Sequence, residues 1–167
     1  MTFVGQIEKK TQQRVVRLFH KTLGYDYLGD WTEREGNRNI EEDLLRKFLR
    51  EKQRYDEALI TRAIYELDKA AGDTSKSLYD RNLAVYELLR YGVKVKPDVG
   101  ENFQNVWLIN WDMPEENDFA IAEEVTLAGA DTRSHGKRPD VVLYVNGIAL
   151  GVLELKRSTV SVAEGIR

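Results

Sequence analysis

The fold is decided near the C-terminus by the stretch Arg138-Pro139-Asp140-Val-Val-Leu-Tyr-Val-Asn146-Gly147-Ile-Ala-Leu-Gly-Val-Leu-Glu154-Leu-Lys156. Apolar runs lie on both sides of Asn-Gly, and Asn-Gly in such a setting is a strong signal for a tight β-hairpin. The sequence therefore predicts two antiparallel strands, over 141–145 and 148–156. The first begins after an acid, and the second ends in Glu-x-Lys.

The register of this hairpin determines which charged residues share a face. Glu154 and Lys156 are two residues apart on a strand, so they lie on the same face. A regular two-residue turn would place Asp140 opposite Leu153, which would leave Asp140 and Glu154 on opposite faces. A shared face needs one extra residue, and we predict either a three-residue loop over 145–147 or a bulge at Gly151.

Two carboxylates and one ammonium on neighbouring strands are the parts needed for magnesium-dependent hydrolysis of a phosphodiester. Asp140 and Glu154 are candidate metal ligands, and Lys156 is a candidate to stabilise charge that develops on the phosphate. Each residue also has an ordinary explanation, because Pro-Asp is common in turns and Glu-x-Lys can be a solvated strand end. The second strand is continuously apolar, which suggests burial on both faces and favours a site at its charged end.

Pro139-Asp140 followed by Glu154-Leu155-Lys156 resembles the PD-(D/E)xK nuclease signature. The longer run from residue 138 to the end resembles the N-terminal nuclease region of the restriction (R) subunit of type I restriction-modification enzymes. The segments at 23–25, 39–42, 89–92 and 117–119 suit that family more loosely. The resemblance implies a type I site-specific endodeoxyribonuclease that hydrolyses phosphodiester bonds of foreign double-stranded DNA. In that reading Asp140, Glu154 and Lys156 are catalytic, and Asp140 and Glu154 hold Mg²⁺.

The same resemblance implies partners outside this chain. The family's ATP-driven translocase motor would follow the nuclease domain, so ATP would bind the full-length subunit and not this part. The chain indeed has no G-x-x-x-x-G-K-[ST] loop. Modification and specificity subunits, double-stranded DNA and a cytoplasmic location are also expected, with no membrane. Two alternatives stay open: another PD-(D/E)xK nuclease of the repair or junction type, and a non-catalytic docking domain with the same fold.

Composition narrows the kinds of site that are possible. The 167 residues contain no cysteine and two histidines, which excludes a disulfide scaffold and a cysteine-built zinc site and argues against a histidine-built one. The formal net charge of -3 means that DNA contacts must come from a local patch or from other parts of the protein. Candidate phosphate contacts flank the two acids: Arg133, His135, Lys137, Arg138 and Arg157.

Hydrophobic periodicity predicts an α+β protein, with a helical part over about 1–92 and a mostly antiparallel catalytic sheet over about 103–157. Helices are expected over 6–23, over 56–71 and over 77–91. A further helix is expected to begin at an N-cap Asn39, with Glu42 as its capping-box partner. Strands are expected over 106–111 and from Phe119. We expect one endonuclease domain over 1–167, incomplete at its C-terminus, because the last helix and strand of the PD-(D/E)xK (restriction-endonuclease-like) core would lie mostly beyond Arg167.

Several further residues are candidates without a firm assignment. PD-(D/E)xK sites often take another acid from the first core helix, and the sequence does not choose among Glu8, Glu41 and Glu42. Glu123 and Glu124 lie on a neighbouring strand and are expected at a solvated edge. Trp107 and Trp111 are expected in the core or at a partner-docking surface rather than as platforms on which bases stack. The Gln-x-x-x-Tyr element that usually follows Glu-x-Lys in this nuclease group is absent from the chain.

Overall fold

A computed structural model describes residues 3–126 and 138–155, with side chains described from residue 9 onward. Four α-helices and six strands lie in these ranges. The helices are α1 Phe3–Arg17, α2 Glu42–Glu51, α3 Glu57–Gly72 and α4 Leu78–Tyr91. The strands are β1 Asp26–Asp30, β2 Val93–Val95, β3 Gln104–Val106, β4 Phe119–Glu123, β5 Val141–Val145 and β6 Ile148–Leu153. The protein is α+β as predicted, although β1 interrupts the predicted helical half.

The chain forms two compact units. One unit combines the residues up to Glu41 with those from Asp118 onward, and it contains α1, β1, β4, β5 and β6. The other unit is Glu42–Asn117 and contains α2, α3, α4, β2 and β3. The expectation of a single endonuclease domain over the whole chain stays a prediction. Within the described ranges, no helix is long and apolar enough to cross a membrane.

The first unit is built on a four-stranded sheet in the order β1-β4-β5-β6. β1 runs parallel to β4, and the other neighbours are antiparallel. Alternate residues of a strand face the same side, so cross-strand partners such as Ala120 and Tyr144 line one face together. The buried cluster on that face consists of Trp31, Ala120, Ala122, Val125, Val142 and Tyr144.

The helix ends follow local sequence signals. The Asp56 side chain caps α3 by accepting the Leu59 N–H at 2.9 Å, and Ser77 caps α4 by accepting the Asp80 N–H at 3.1 Å. After α1, a π-helical turn Leu18–Thr22 leads to Gly24, whose φ of +77° ends the helical segment. These ends agree with the predicted helices to within a few residues.

The predicted capping box at Asn39 is wrong. Helix α2 begins at Glu42, and the Asn39 carbonyl accepts the Ala149 N–H at 2.8 Å. Ile40 forms an antiparallel bridge with Ile148. Pairing with the start of β6 keeps residues 39 and 40 extended, so the helix cannot begin there.

The predicted strand over 106–111 is also largely wrong, because β3 ends at Val106. Asparagine side chains hold the following loop together. The Asn117 Oδ1 accepts the Asn110 N–H at 2.8 Å, and its Nδ2 donates to the Asn110 carbonyl at 2.9 Å. These amides replace the ladder bonds that a continued strand would have made.

Candidate active site

The hairpin of β5 and β6 has a two-residue turn and a bulge. Asn146 and Gly147 have φ values of +52° and +82°, which is the type I′ turn expected for Asn-Gly. Val145 pairs with Ile148 and Tyr144 with Ala149, but Leu143 pairs with Gly151. Leu150 is therefore an extra residue in β6. Of the two arrangements predicted from the sequence, the bulge beside Gly151 is confirmed and the three-residue loop is excluded.

The bulge sets the position of the two candidate ligands. Beyond it, Val142 pairs with Val152 and Val141 with Leu153. One further step places Asp140 opposite Glu154, and directly opposite residues of an antiparallel pair lie on the same face with Cβ atoms about 5 Å apart. A regular hairpin would have paired Asp140 with Leu153, so the extra residue converts an opposite-face arrangement into a same-face one.

A backbone hydrogen bond fixes the Asp140 carboxylate against the end of β6. The Leu155 N–H donates to Asp140 Oδ2 at 2.5 Å. The Asp140 carbonyl accepts the Glu124 N–H at 3.1 Å, which ties the same residue to the end of β4. Asp140 is thus held between the ends of β4 and β6, against the segment that carries Glu154.

Helix α1 is joined to this point by Gln12, which is only 8% exposed. Its Nε2 lies 2.9 Å from Glu123 Oε2, 3.1 Å from Glu124 Oε1 and 3.4 Å from the Asp140 carbonyl. One buried amide therefore connects the helix to the two acids at the end of β4, Glu123 and Glu124, and to the backbone of Asp140. Gln12 was not among the predicted residues. The available signal in the sequence was its position one helical turn before Val15 and Val16, on the same stripe of α1 as these apolar residues.

Glu123 and Glu124 have further partners and do not form the solvated strand edge that was predicted. The Tyr27 hydroxyl donates to Glu123 Oε1 at 2.7 Å, and Arg138 Nε lies 2.9 Å from Glu124 Oε2. Burial and the hydrogen bond to Glu123 raise the pKa of Tyr27 to about 12, so the phenol remains a donor over the physiological range. Glu124 adopts a left-handed φ of +52°, a conformation rare for residues other than glycine.

An open cleft of about 370 Å³ lies beside Asp140. Hydrogen bonds from Thr32, aided by the charges of Lys9 and Arg138, hold the pKa of the Asp30 carboxyl below its usual range. Four carboxylates and two cations give the lining a formal charge of -2, which favours a bound cation over an anion. The lining residues are Lys9, Gln12, Asp30, Glu123, Glu124, Arg138 and Asp140.

The upstream acids occupy different places. Glu8 lies in α1, one turn before Gln12. Glu41 pairs with Arg34 at 2.6 Å, and its N–H donates to the Gly147 carbonyl, so it lies at the turn end of the hairpin, away from Asp140. Glu42 belongs to the other compact unit and pairs with Arg46 at 2.8 Å.

Some predicted residues fall outside the described part of the chain, and their roles stay predictions: Arg133, His135, Lys137, Lys156 and Arg157. Arg138 is described, and it lines the cleft. The apolar second strand is not buried on both faces as predicted. Leu150 is 47% exposed and Val152 is 58% exposed.

The donor set at the strand ends suits a hard divalent cation. Among the described residues, no group of three or more histidine, cysteine, aspartate or glutamate side chains is arranged to hold a metal ion. Glu123 and Glu124 take part in hydrogen bonds with Gln12, Tyr27 and Arg138, as given above. Asp140 and Glu154 carry carboxylates at opposed positions of the hairpin, and Mg²⁺ in proteins commonly uses one or two carboxylates together with waters and substrate phosphates. The residues present therefore fit a magnesium ion.

Comparison with known families gives one assignment. The model of the family described as type I restriction enzyme R protein N terminus matches residues 5–167. A search of curated proteins gives no match.

Proposed function

Since this chain belongs to the type I restriction enzyme R protein N-terminus family, we propose that it is the endonuclease domain of an R subunit. The proposed reaction is magnesium-dependent hydrolysis of phosphodiester bonds in foreign double-stranded DNA. The supporting observation is the bulge at Leu150, which places Asp140 opposite Glu154 at the end of the hairpin. The PD-(D/E)xK signature requires these two acids to lie together.

In the proposed site, each residue has a separate task. Asp140 and Glu154 would hold the magnesium ion, and the Leu155 N–H keeps the Asp140 carboxylate against the end of β6, beside Glu154. When bound, Mg²⁺ polarises the scissile phosphate and lowers the pKa of a coordinated water. The role proposed for Lys156, from its place in the Glu-x-Lys motif, is to stabilise the negative charge that develops on the phosphate.

The neighbouring residues position this pair. Gln12 links α1 to the backbone of Asp140, while Arg138 and Glu124 connect the residues before Asp140 to the end of β4. Arg138 is half exposed, so it can exchange Glu124 for a DNA phosphate when DNA occupies the cleft.

The complete enzyme supplies the other functions. We propose that an ATP-driven motor on the same polypeptide delivers DNA to this domain, and that specificity and modification subunits select the DNA. The ATP would bind in the motor. The DNA sequence that is recognised would thus be independent of the residues described above.

The test is plasmid cleavage by the assembled restriction enzyme with Mg²⁺ and ATP, with ATP hydrolysis followed in parallel. Glu154→Gln and Lys156→Ala should each reduce cleavage by about 100-fold or more, since the first removes a proposed ligand of the ion and the second removes the positive charge proposed to stabilise the reacting phosphate. ATP hydrolysis should remain near the wild-type rate. Glu35→Gln, at an exposed acid, is the matched control and should cleave normally. Undiminished cleavage by both Glu154→Gln and Lys156→Ala would place the nuclease elsewhere.

A further inference from the structure

The outer face of the two-stranded sheet in the second unit carries aromatic rings and lysines side by side. Val93 and Val95 of β2 are buried, so Lys94 between them faces outward. Lys94 pairs with Asn105 of β3, and one further step places Lys96 opposite Phe103. The residues on this face are Lys94, Lys96, Phe103, Asn105 and Trp107.

These rings are accessible rather than packed. Phe103 is 67% exposed, Trp107 is 39% exposed and the nearby Trp111 is 44% exposed. The Lys96 ammonium lies 4.8 Å from the Phe103 ring centroid. Neither tryptophan is therefore a core residue, and both present ring surface to solvent.

A cleft of about 200 Å³ adjoins both indole rings, and hydrogen bonds hold its walls in place. The Trp111 Nε1 donates to the Leu89 carbonyl at 2.9 Å, and the Arg90 guanidinium carbon lies 5.3 Å from the Trp111 ring centroid. The Tyr55 hydroxyl accepts the Trp107 N–H at 3.1 Å. The lining contains both indoles, Arg90, the amides of Gln53 and Asn110, Ile109 and Asp112.

We propose that this surface binds an unpaired DNA strand. Exposed aromatic rings bind bases by stacking, and interspersed lysines attract the phosphates, which is the pattern of single-strand binding surfaces. In a duplex the base faces are covered by their neighbours, so the rings can stack only on unpaired bases. Asp112 repels phosphate from the cleft, so the bases lie over Trp107 and Trp111 while the backbone follows Lys94 and Lys96.

This activity is separate from phosphodiester cleavage at Asp140 and needs no metal ion. It gives the nuclease domain a preference for DNA with a locally opened strand. The affinity should fall with salt, because phosphate contacts release counterions.

The experiment is a fluorescence anisotropy titration of the full chain, without divalent ions, against a short labelled poly-thymidine strand and a blunt duplex of equal length. The single strand should bind at least about tenfold more tightly than the duplex. Phe103→Leu keeps an apolar side chain at an exposed position but removes the ring, and it should weaken single-strand binding about tenfold. Tyr86→Ala, at a 56% exposed ring on α4, is the matched control and should bind as wild type.

The contribution of the two lysines to strand binding is tested separately, by its dependence on salt. The double variant Lys94→Gln and Lys96→Gln should reduce the slope of log affinity against log salt by about 1.4, which is about 0.7 for each of two phosphate contacts. Lys69→Gln, at an exposed lysine of α3, should leave the slope unchanged. Equal affinity for duplex and single strand, or equal losses from Phe103→Leu and Tyr86→Ala, would overturn the proposal. Glu154→Gln should bind the strand normally, so loss of cleavage and loss of strand binding are distinguishable.

Discussion

The Leu155 N–H donates a 2.5 Å hydrogen bond to Asp140 Oδ2, across the open end of the β5–β6 hairpin. This contact exists because the extra residue Leu150 shifts the register of β6 by one position. Asp140 is thereby held against the segment that carries Glu154. One inserted residue connects the local geometry of the strand to the proposed chemistry.

Gln12 should be important for stability as well as for positioning. Replacing it with leucine removes the buried amide that donates to Glu123 and Glu124, and leaves these partly buried carboxylates with fewer donors. We expect Gln12→Leu to lower the free energy of unfolding by about 1–3 kcal/mol in urea titrations. Gln13→Leu, at the exposed neighbouring position, should change it by less than about 0.5 kcal/mol. Equal effects of the two variants would show that the buried contacts of Gln12 are unimportant.

Replacing Tyr144 with phenylalanine should increase the stability of the protein. Its ring is fully buried against Trp31, and its hydroxyl has no hydrogen-bond partner among the described residues. Tyr144→Phe removes a buried unsatisfied group, so we expect the free energy of unfolding to rise by about 1 kcal/mol. Tyr27→Phe removes the hydrogen bond to Glu123 and should have the opposite sign. A destabilised Tyr144→Phe protein, measured by urea unfolding, would contradict this account.

The same two tyrosines predict alkaline behaviour. Burial raises the pKa of Tyr144 to about 12, and burial together with the Glu123 hydrogen bond raises that of Tyr27 to about 12. In the unfolded chain both phenols ionise near pH 10. Because the folded state binds these two protons more tightly than the unfolded chain, the free energy of unfolding should be independent of their ionisation below about pH 10 and should fall as the pH rises from about 10 to about 12. Ultraviolet titration of the folded protein should show two late phenols, and Tyr27→Phe should remove one; titration of both near pH 10 would disprove the assignment.

Two glycines should respond oppositely to alanine. Gly92 ends α4 with a φ of +76°, and an added Cβ would lie 2.5 Å from Asn105 Nδ2. Gly92→Ala should therefore cost about 1–3 kcal/mol of unfolding free energy. Gly72, the last residue of α3, has no atom within 4 Å of an added Cβ and no positive φ, so Gly72→Ala should stabilise by about 0.4–1 kcal/mol. The measurement is the thermal unfolding midpoint of each variant. A shift of both midpoints in the same direction would refute the distinction.

The sequence predicts the features that depend on local chemistry. Asn146-Gly147 specifies its turn because both residues tolerate positive φ. Ser77 marks the start of α4 because its hydroxyl accepts a terminal backbone N–H, and Gly92 marks the end because it adopts a positive φ. The need for an extra residue also followed from the sequence, since the faces of Asp140 and Glu154 depend only on the count of residues between them.

Features that depend on distant partners could not be predicted. Asn39 has an ordinary capping pattern, but pairing of Ile40 with Ile148 holds it extended. The strand predicted after Val106 is replaced by a loop because Asn117 supplies its hydrogen bonds. Gln12 meets Glu124 across more than a hundred residues of sequence, and nothing in the local pattern identifies its partners.

The most direct test of the proposed site is deletion of Leu150, assayed by plasmid cleavage and ATP hydrolysis in the assembled enzyme. Without the bulge, Glu154 turns to the face opposite Asp140, so cleavage should fall by about 100-fold or more while ATP hydrolysis persists. Leu150→Ala keeps the residue count and should cleave normally. Adding one glycine after Gly147 to the deletion variant restores the count and should recover cleavage. A folded deletion variant that cleaves like wild type, or a restored count that gives no recovery, would contradict the claim that the Asp140–Glu154 register builds the nuclease site.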